Sequence, residues 1–281
     1  MIAANIVIRD IDGQAEMRAV EDLQKEVWGL PDLDVVPLTQ LVAAKASGGV
    51  VIGAFDRDKL AGFAYGFAGY EEGHVTYHSH MLAVRPEYRS FNIGYLLKLG
   101  QREKVLEQGI DRMTWTFDPL QSLNAYFNFN KLGVVSDRYF VNFYGEEAAS
   151  FLHRNGTDRV WVTWLLNSRH VRERLEGTVP AFEIGNFCPL VEVGKDYAPL
   201  CRGLDEGSSN EPAVIEIPAD INGLGQKSSG ITVPWREATR LAFTAAFAAG
   251  YLIKEFYRGN RGDQSVGRYL LQRGESIGDI D

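Results

Sequence analysis

The chain of 281 residues carries 29 Lys and Arg against 37 Asp and Glu, a net charge of −8, and 45% of it is hydrophobic. That length accommodates one large or two ordinary domains with full cores, and no stretch of about 18 apolar residues is present that would read as a membrane span. The acidic balance argues against nucleic acid as the main partner, because binding phosphate backbones needs a basic footprint; the two cysteines, Cys188 and Cys201, fit neither a disulfide framework nor a zinc site.

Ile6 to Ile11 alternates as a strand, and Ala15 to Trp28 carries helical spacing through Met17, Val20, Leu23 and Val27 until Gly29-Leu30-Pro31 stops it. A short helix over Thr39 to Ala44, closed by Gly48-Gly49, leads to a hairpin of Val50 to Phe55 and Leu60 to Tyr70 around the polar turn Asp56 to Lys59. Gly66 and Gly69 mark bends in it. A period-2 strand over Thr76 to Val84 is followed by a helix to about Gln108, a strand at Met113 to Phe117, a helix from Ser122 to Leu132 and closing strands at Val134 to Tyr144 and Arg159 to Leu166. Beyond these lie a charged helical stretch, Arg169 to Leu175, and a loop between Cys188 and Pro212 rich in Gly, Pro, Ser and Asp. A strand at Val214, a helix over Trp235 to Ala249 and a strand ending at Tyr257 complete the order. The start, Met-Ile-Ala-Ala-Asn, lacks a basic region and an apolar signal core, so a cytoplasmic protein is expected.

Residues 82 to 94 read Leu-Ala-Val-Arg-Pro-Glu-Tyr-Arg-Ser-Phe-Asn-Ile-Gly, a strand that enters a tight turn and opens a helix. The turn leaves successive backbone N–H groups unpaired where the helix dipole adds about half a positive charge, so a pyrophosphate is held without a cluster of lysines. Arg85, Arg89, Lys98 and Arg102 are expected to add a local positive field. The order Val84-x-Pro86-x-x-Arg89-x-x-Asn92-x-Gly94, with the amphipathic run Ile93, Leu96, Leu97 and Gly100, resembles the acetyl-CoA motif of the GNAT N-acyltransferase superfamily. Asn92 stands where the family prefers its first glycine, and asparagine tolerates left-handed backbone geometry. The stretch Thr116-Phe-Asp118-Pro119-Leu-Gln-Ser122-x-Asn124-Ala125-Tyr-Phe-Asn128 further resembles a two-part bacterial group of GNAT acyltransferases.

The resemblance implies an α/β (α+β) fold with a mixed central sheet flanked by helices, as a GNAT domain over residues 1–168. Residues 169–281 read as a C-terminal GNAT-like half domain without a pyrophosphate turn, since Ala125 and Ala242 each stand eight residues before the glycine, Gly133 or Gly250, that closes their helices. The implied activity is N-acyl transfer from acetyl-CoA or another acyl-CoA to a primary amine of a small molecule, an amino acid among the candidates. No metal, nucleic acid or membrane is called for, and a homodimer is left open. Two alternatives stand beside it: a non-catalytic acyl-CoA-binding or sensing protein, and a relative of the aminoacyl-tRNA-dependent ligases of peptidoglycan synthesis, against which the acidic chain and the retained turn argue.

Carried over by position, the resemblance assigns cofactor contacts to the backbone of Leu82, Ala83 and Val84 and to the turn Arg89, Ser90, Phe91, Asn92, Ile93, Gly94 and Tyr95. Asn124 and Asn128 join them on the pantetheine or adenine side. His78, six residues before Val84 where family members carry a glutamate base, is expected to share one strand face with Thr76, His80, Leu82 and Val84; an imidazole near pKa 6.5 suits proton transfer at neutral pH. His80 is the second candidate. Phe129 occupies the family's tyrosine position, and Tyr126 lies three residues earlier on about the same face. Ser122 is expected to cap its helix. Asp118 either supports the turn or reaches the acceptor, and Arg236 and Arg240, four apart on one helix, either hold a substrate carboxylate or form a salt-bridged face.

Overall fold

The computed structural model describes residues 6–145, 156–178, 187–203, 212–228 and 230–281, which fall into two compact units, one running to Trp115 and one from Thr116 onward. The first contains β1 (Ile6–Asp10), α1 (Gly13–Trp28), α2 (Leu38–Ala46), β2 (Val50–Asp56), β3 (Lys59–Glu71), β4 (His74–Val84), α3 (Ile93–Glu107) and most of β5 (Arg112–Phe117). Its strands lie in the order β1-β2-β3-β4-β5, antiparallel up to β4, with β5 parallel to β4.

Helix α1 forms because Met17, Val20, Leu23 and Gln24 recur on one face, and it ends at Gly29, whose φ of 64° lets its N–H donate to the Lys25 carbonyl at 2.8 Å. That face packs with Leu41 of α2 against Val51, Phe55, Phe63, Tyr65 and Ala83 of the sheet. Each large apolar side chain so buried contributes about 1.5–3 kcal/mol. Helix α3 covers the opposite face, with Leu97 beside Gly62 and Gly100 against Ile8 and Ile52.

The β3–β4 ladder is irregular at one place: Tyr65 pairs with Met81 but Phe67 pairs with His78, so Ser79 and His80 both stand opposite Gly66. This bulge inserts one extra residue and interrupts the alternation of faces. Tyr77 and Ser79 before it, and Leu82 and Val84 after it, turn toward α3. His78 and His80 turn the other way, to the side of Tyr65, Met81 and Ala83. The expected common face of Thr76, His78, His80, Leu82 and Val84 is therefore split between the two sides of the sheet. Gly66 permits the arrangement, because a Cβ there would meet the His78 carbonyl oxygen and the Tyr77 ring at 2.5 Å.

The second unit contains the end of β5, α4 (Ser122–Ala125) continuing into a wider π turn over Tyr126–Leu132, β6 (Val135–Phe140), β7 (Arg159–Leu165), α5 (Arg169–Glu176), β8 (Cys188–Val193) and β9 (Pro199–Cys201). β10 (Ala213–Pro218), α6 (Ile221–Lys227), α7 (Thr232–Ala248), β11 (Tyr251–Arg261) and β12 (Gln264–Arg273) complete it. Its strands follow the order β7-β6-β11-β12-β10-β8-β9, with β8 parallel to β10. The mixed α/β architecture with helices on the sheets is as expected. The division at Trp115 lies elsewhere than residue 168, because β6 pairs with the late strand β11 through Ser136 and Ile253. Two further differences are local. Part of the expected loop after Cys188 is β8 and β9, while residues 204–211 of that loop lie outside the described residues. β12 escapes period-2 reading because Val266, Tyr269, Leu270 and Leu271 are buried on both of its faces. Among the described residues no helix is long and apolar enough to cross a membrane.

Candidate active site

The connection from β4 to α3 is a 3-10 turn over Pro86–Phe91 followed by Asn92 in the left-handed region, φ 58° and ψ 21°. Asparagine is one of the few residues with a side chain that adopts this conformation at modest cost, which is why the turn closes without the family's glycine. The Asn92 carbonyl accepts from the N–H groups of Tyr95 at 3.0 Å and Leu96 at 3.2 Å, starting α3. The amides of Ile93 and Gly94 precede the first helical bond and have no partner within the helix. Arg89, Ser90 and Phe91 are exposed along the turn, Tyr95 is half-buried, and the Ile93 side chain is buried, anchoring the helix start. A Cβ at Gly94 would stand 3.6 Å from Leu82, an ordinary contact.

The positive field around the turn is narrower than expected. Arg85 is committed to Glu26 and to the Leu60 carbonyl, the latter at 2.8 Å, while Arg89 reaches back to the Val84 carbonyl at 3.3 Å. Lys98 is buried: its Nζ donates to Ser79 Oγ at 2.7 Å and lies 3.5 Å from the centroid of the Trp115 ring. Burial holds its amine well below the ordinary lysine range. Ser79 in turn donates to Gln101 Oε1 at 2.7 Å, so two residues of α3 pin the β4 bulge from behind. No pattern in the sequence marked this trio, because its members are brought together only by the bulge.

Across the sheet, His78 and His80 have ring centroids 6.1 Å apart and both meet Phe67. His78 Nδ1 lies 3.2 Å from Thr114 Oγ1 on β5, next to the pairings Tyr77↔Met113 and His78↔Thr114. In the tautomer whose Nδ1 donates to Thr114, Nε2 is the accepting nitrogen. Burial, helped by the nearby charges of His80 and Lys98, lowers the His78 imidazole to about 4, well under the 6.5 taken from its ordinary behaviour. His80 is exposed along one edge, and desolvation of the remainder lowers it as well. Both rings are therefore neutral, unprotonated bases at pH 7.

In the second unit Asn124 is exposed and Tyr126 half-buried, whereas Asn128 is buried within the π turn. Phe129 is fully buried, its ring centroid 6.2 Å from Phe117 and 5.8 Å from Tyr269, so the family's tyrosine position is here a core position. Ser122 does not cap: Gln121 holds the cap position and Ser122 is the first buried residue of α4. Asp118 supports the turn, accepting from the Leu120 N–H at 3.0 Å and Gln121 Nε2 at 3.2 Å, and it pairs with the buried Arg236 at 2.7 Å. Arg240 grips Asp158 with two bonds of 2.8 and 2.9 Å. Arg236 and Arg240 thus hold protein carboxylates one each, the salt-bridged alternative. Burial raises the Asp158 carboxyl, but bonds from Arg240, the Asn142 N–H and Tyr139 outweigh it and keep it below the usual range. Among the described residues no group of three or more His, Cys, Asp or Glu side chains is placed to hold a metal ion.

No curated protein matches the chain in sequence. Among solved structures the chain is similar to the ribosomal-protein-S18-alanine N-acetyltransferase from Escherichia coli, at 12% identity over 57% of this chain and 94% of that one, with a TM-score of 0.46. An aminoglycoside 6'-acetyltransferase type Ii is similar at 20% identity over 58% and 98%, TM-score 0.47. A GNAT family acetyltransferase from Elizabethkingia anophelis with acetyl-CoA bound is similar at 16% over 57% and 98%, TM-score 0.43. The sequence model of the Acetyltransferase (GNAT) family matches residues 16–133, a span holding β2 through the π turn and the Asn92 connection. Residues 16–133 are thus what this chain shares with the Acetyltransferase (GNAT) family model.

Proposed function

We propose that the protein moves an acyl group, most simply acetyl, from acyl-CoA to the primary amine of a small molecule. The observation that carries this reading is the β4–α3 connection, where Asn92 in the left-handed region sets the amides of Ile93 and Gly94 at the positive end of a helix of 15 residues. Those amides, with the exposed backbone of Arg89, Ser90 and Phe91, would hold the pyrophosphate. The backbone of Leu82, Ala83 and Val84 would take the pantetheine arm and polarise the thioester carbonyl. An acyl-CoA supplies the activated acyl group, and this chain's own residues position the amine and remove its proton. His78, its ring set by Thr114, accepts the proton from the acceptor ammonium directly or through water, and His80 on the same face is the second acceptor. Tyr126 is the nearest hydroxyl to the family's acid position in sequence, and a thiolate leaves readily enough that a strong acid is not required.

Phe129 supports a second reading, a protein that binds acyl-CoA without turning it over, because a buried phenylalanine cannot protonate the departing thiolate. Thiol release from acetyl-CoA, measured with a panel of primary amines, separates the two. Amine-dependent release supports transfer. Calorimetric CoA binding with no release above the uncatalysed rate for any amine or acyl chain would leave the binding protein.

A further inference from the structure

Lys98 lies one helical turn beyond Gly94 on α3 and is buried together with Ser79 and Gln101. β4 pairs with β5 at Tyr77↔Met113 and His78↔Thr114, and Lys98 Nζ sits against the next residue of each strand, 2.7 Å from Ser79 Oγ and 3.5 Å from the centroid of the Trp115 ring. Ser79 donates on to Gln101 Oε1 at 2.7 Å, and the Gln101 amide lies along Gly66, where a Cβ would meet its Nε2 at 3.1 Å. The chain Lys98–Ser79–Gln101 therefore ties α3 to the strand that carries the extra residue and to Gly66 opposite it. Stability does not account for it. A buried amine costs stability, Gln101 Nε2 is buried with no partner among the described residues, and a methionine at 98 would fill the space without an amine to desolvate. What the chain does fix is direction. With Ser79 held toward α3, its neighbours His78 and His80 turn to the other side of the sheet, their rings 6.1 Å apart and His78 Nδ1 3.2 Å from Thr114 Oγ1. A bulge re-aims side chains in this way.

We propose that Lys98 is a positioning residue for acyl transfer, acting through Ser79 to hold the β4 bulge in the arrangement that aims His78 at the acceptor amine. The role in catalysis rests on the acyl-transfer reading above; the linkage from Lys98 to the histidine pair does not. Such a linkage matters to rate more than to folding, because a shift of about 1 Å at the reacting atoms costs on the order of 10²-fold in turnover.

The test compares the full chain as wild type with Lys98→Met, Ser79→Ala, the double variant and Ser79→Thr, which keeps the hydroxyl; Lys98→Leu stands in if Lys98→Met does not fold. In thiol release from acetyl-CoA, kcat is expected to fall roughly 10- to 100-fold in Lys98→Met and in Ser79→Ala while KM for acetyl-CoA changes by no more than about twofold. The double variant should be no slower than either single one, since both break the same linkage, and Ser79→Thr should regain most of the rate. Titration of the histidine ring signals by NMR needs no turnover. The His78 midpoint, held at about 4 chiefly by burial, is expected to rise toward 6.5 in both single variants; Ser79→Ala retains the lysine, so a rise there reports the placement of the ring and not a lost charge. Matching rises in a protein inactive with every amine would refute acyl transfer and leave the linkage standing. Wild-type kcat with an unmoved His78 midpoint in Lys98→Met, or losses that multiply in the double variant, would overturn the proposal while acyl transfer stood.

Discussion

Replacing Gly94 by aspartate separates binding from folding at the turn. The backbone of Gly94 is not in the left-handed region, and an added Cβ meets only Leu82, at 3.6 Å, so the helix accepts a side chain without strain. An acidic residue in the first turn of α3, which now has none, favours the helix dipole by about 0.3–1 kcal/mol, so the melting temperature should hold or rise slightly. The ligand meets the opposite sign. A carboxylate about 5 Å from one pyrophosphate charge, at an effective dielectric near 20, costs about 3 kcal/mol, or about 10²-fold in affinity. Isothermal calorimetry with CoA reads this directly, and Gly94→Ala, which adds the methyl without the charge, should lose much less. An unchanged Kd for Gly94→Asp in a protein that melts normally would show that the pyrophosphate does not bind at this turn.

His78→Gln should lower turnover roughly 10²-fold with little change in CoA affinity; equal rates in the two proteins would make His78 a strand histidine only. Because burial lowers the His78 imidazole to about 4, the acid limb of the wild-type profile should fall near pH 4 to 5, and a limb at 6.5 would contradict the buried geometry. The same depressed pKa, shared by the half-buried His170 at about 4, means that stability is present above pH 6.5 and is lost as pH falls from 6.5 toward 4, by about 1.4 kcal/mol per unit for each histidine, as urea melts across that range would register. Lys98→Met should raise stability at pH 7 by about 1–3 kcal/mol, since a lysine whose pKa burial lowers costs stability at every pH below its unfolded pKa; a drop in the denaturant midpoint would mean that its bond to Ser79 outweighs that cost. Phe129→Tyr, which restores the family's residue, should destabilise by about 1–3 kcal/mol by burying a hydroxyl between Phe117 and Tyr269, and unchanged melting with faster turnover would count against a purely structural Phe129.

What the sequence alone determined was local. The order of elements through the first unit, the stop at Gly29 and the left-handed turn at Asn92 each depend on residues within a few positions of one another, and their chemistry leaves few backbone choices. The tertiary structure decided whatever depended on pairing across the chain. A bulge opposite Gly66 shifted the register of β4 by one residue, and since side chains in a strand alternate, that single residue moved His78 and His80 to the opposite face from Leu82 and Val84. Arg236 and Arg240 were rightly placed on one helix, but their partners Asp118 and Asp158 lie 118 and 82 residues away in sequence, beyond the reach of any spacing rule. Lys98 could not be singled out at all. What distinguishes it is not the residue type but its burial between Ser79 and the Trp115 ring, and that is a property of three dimensions.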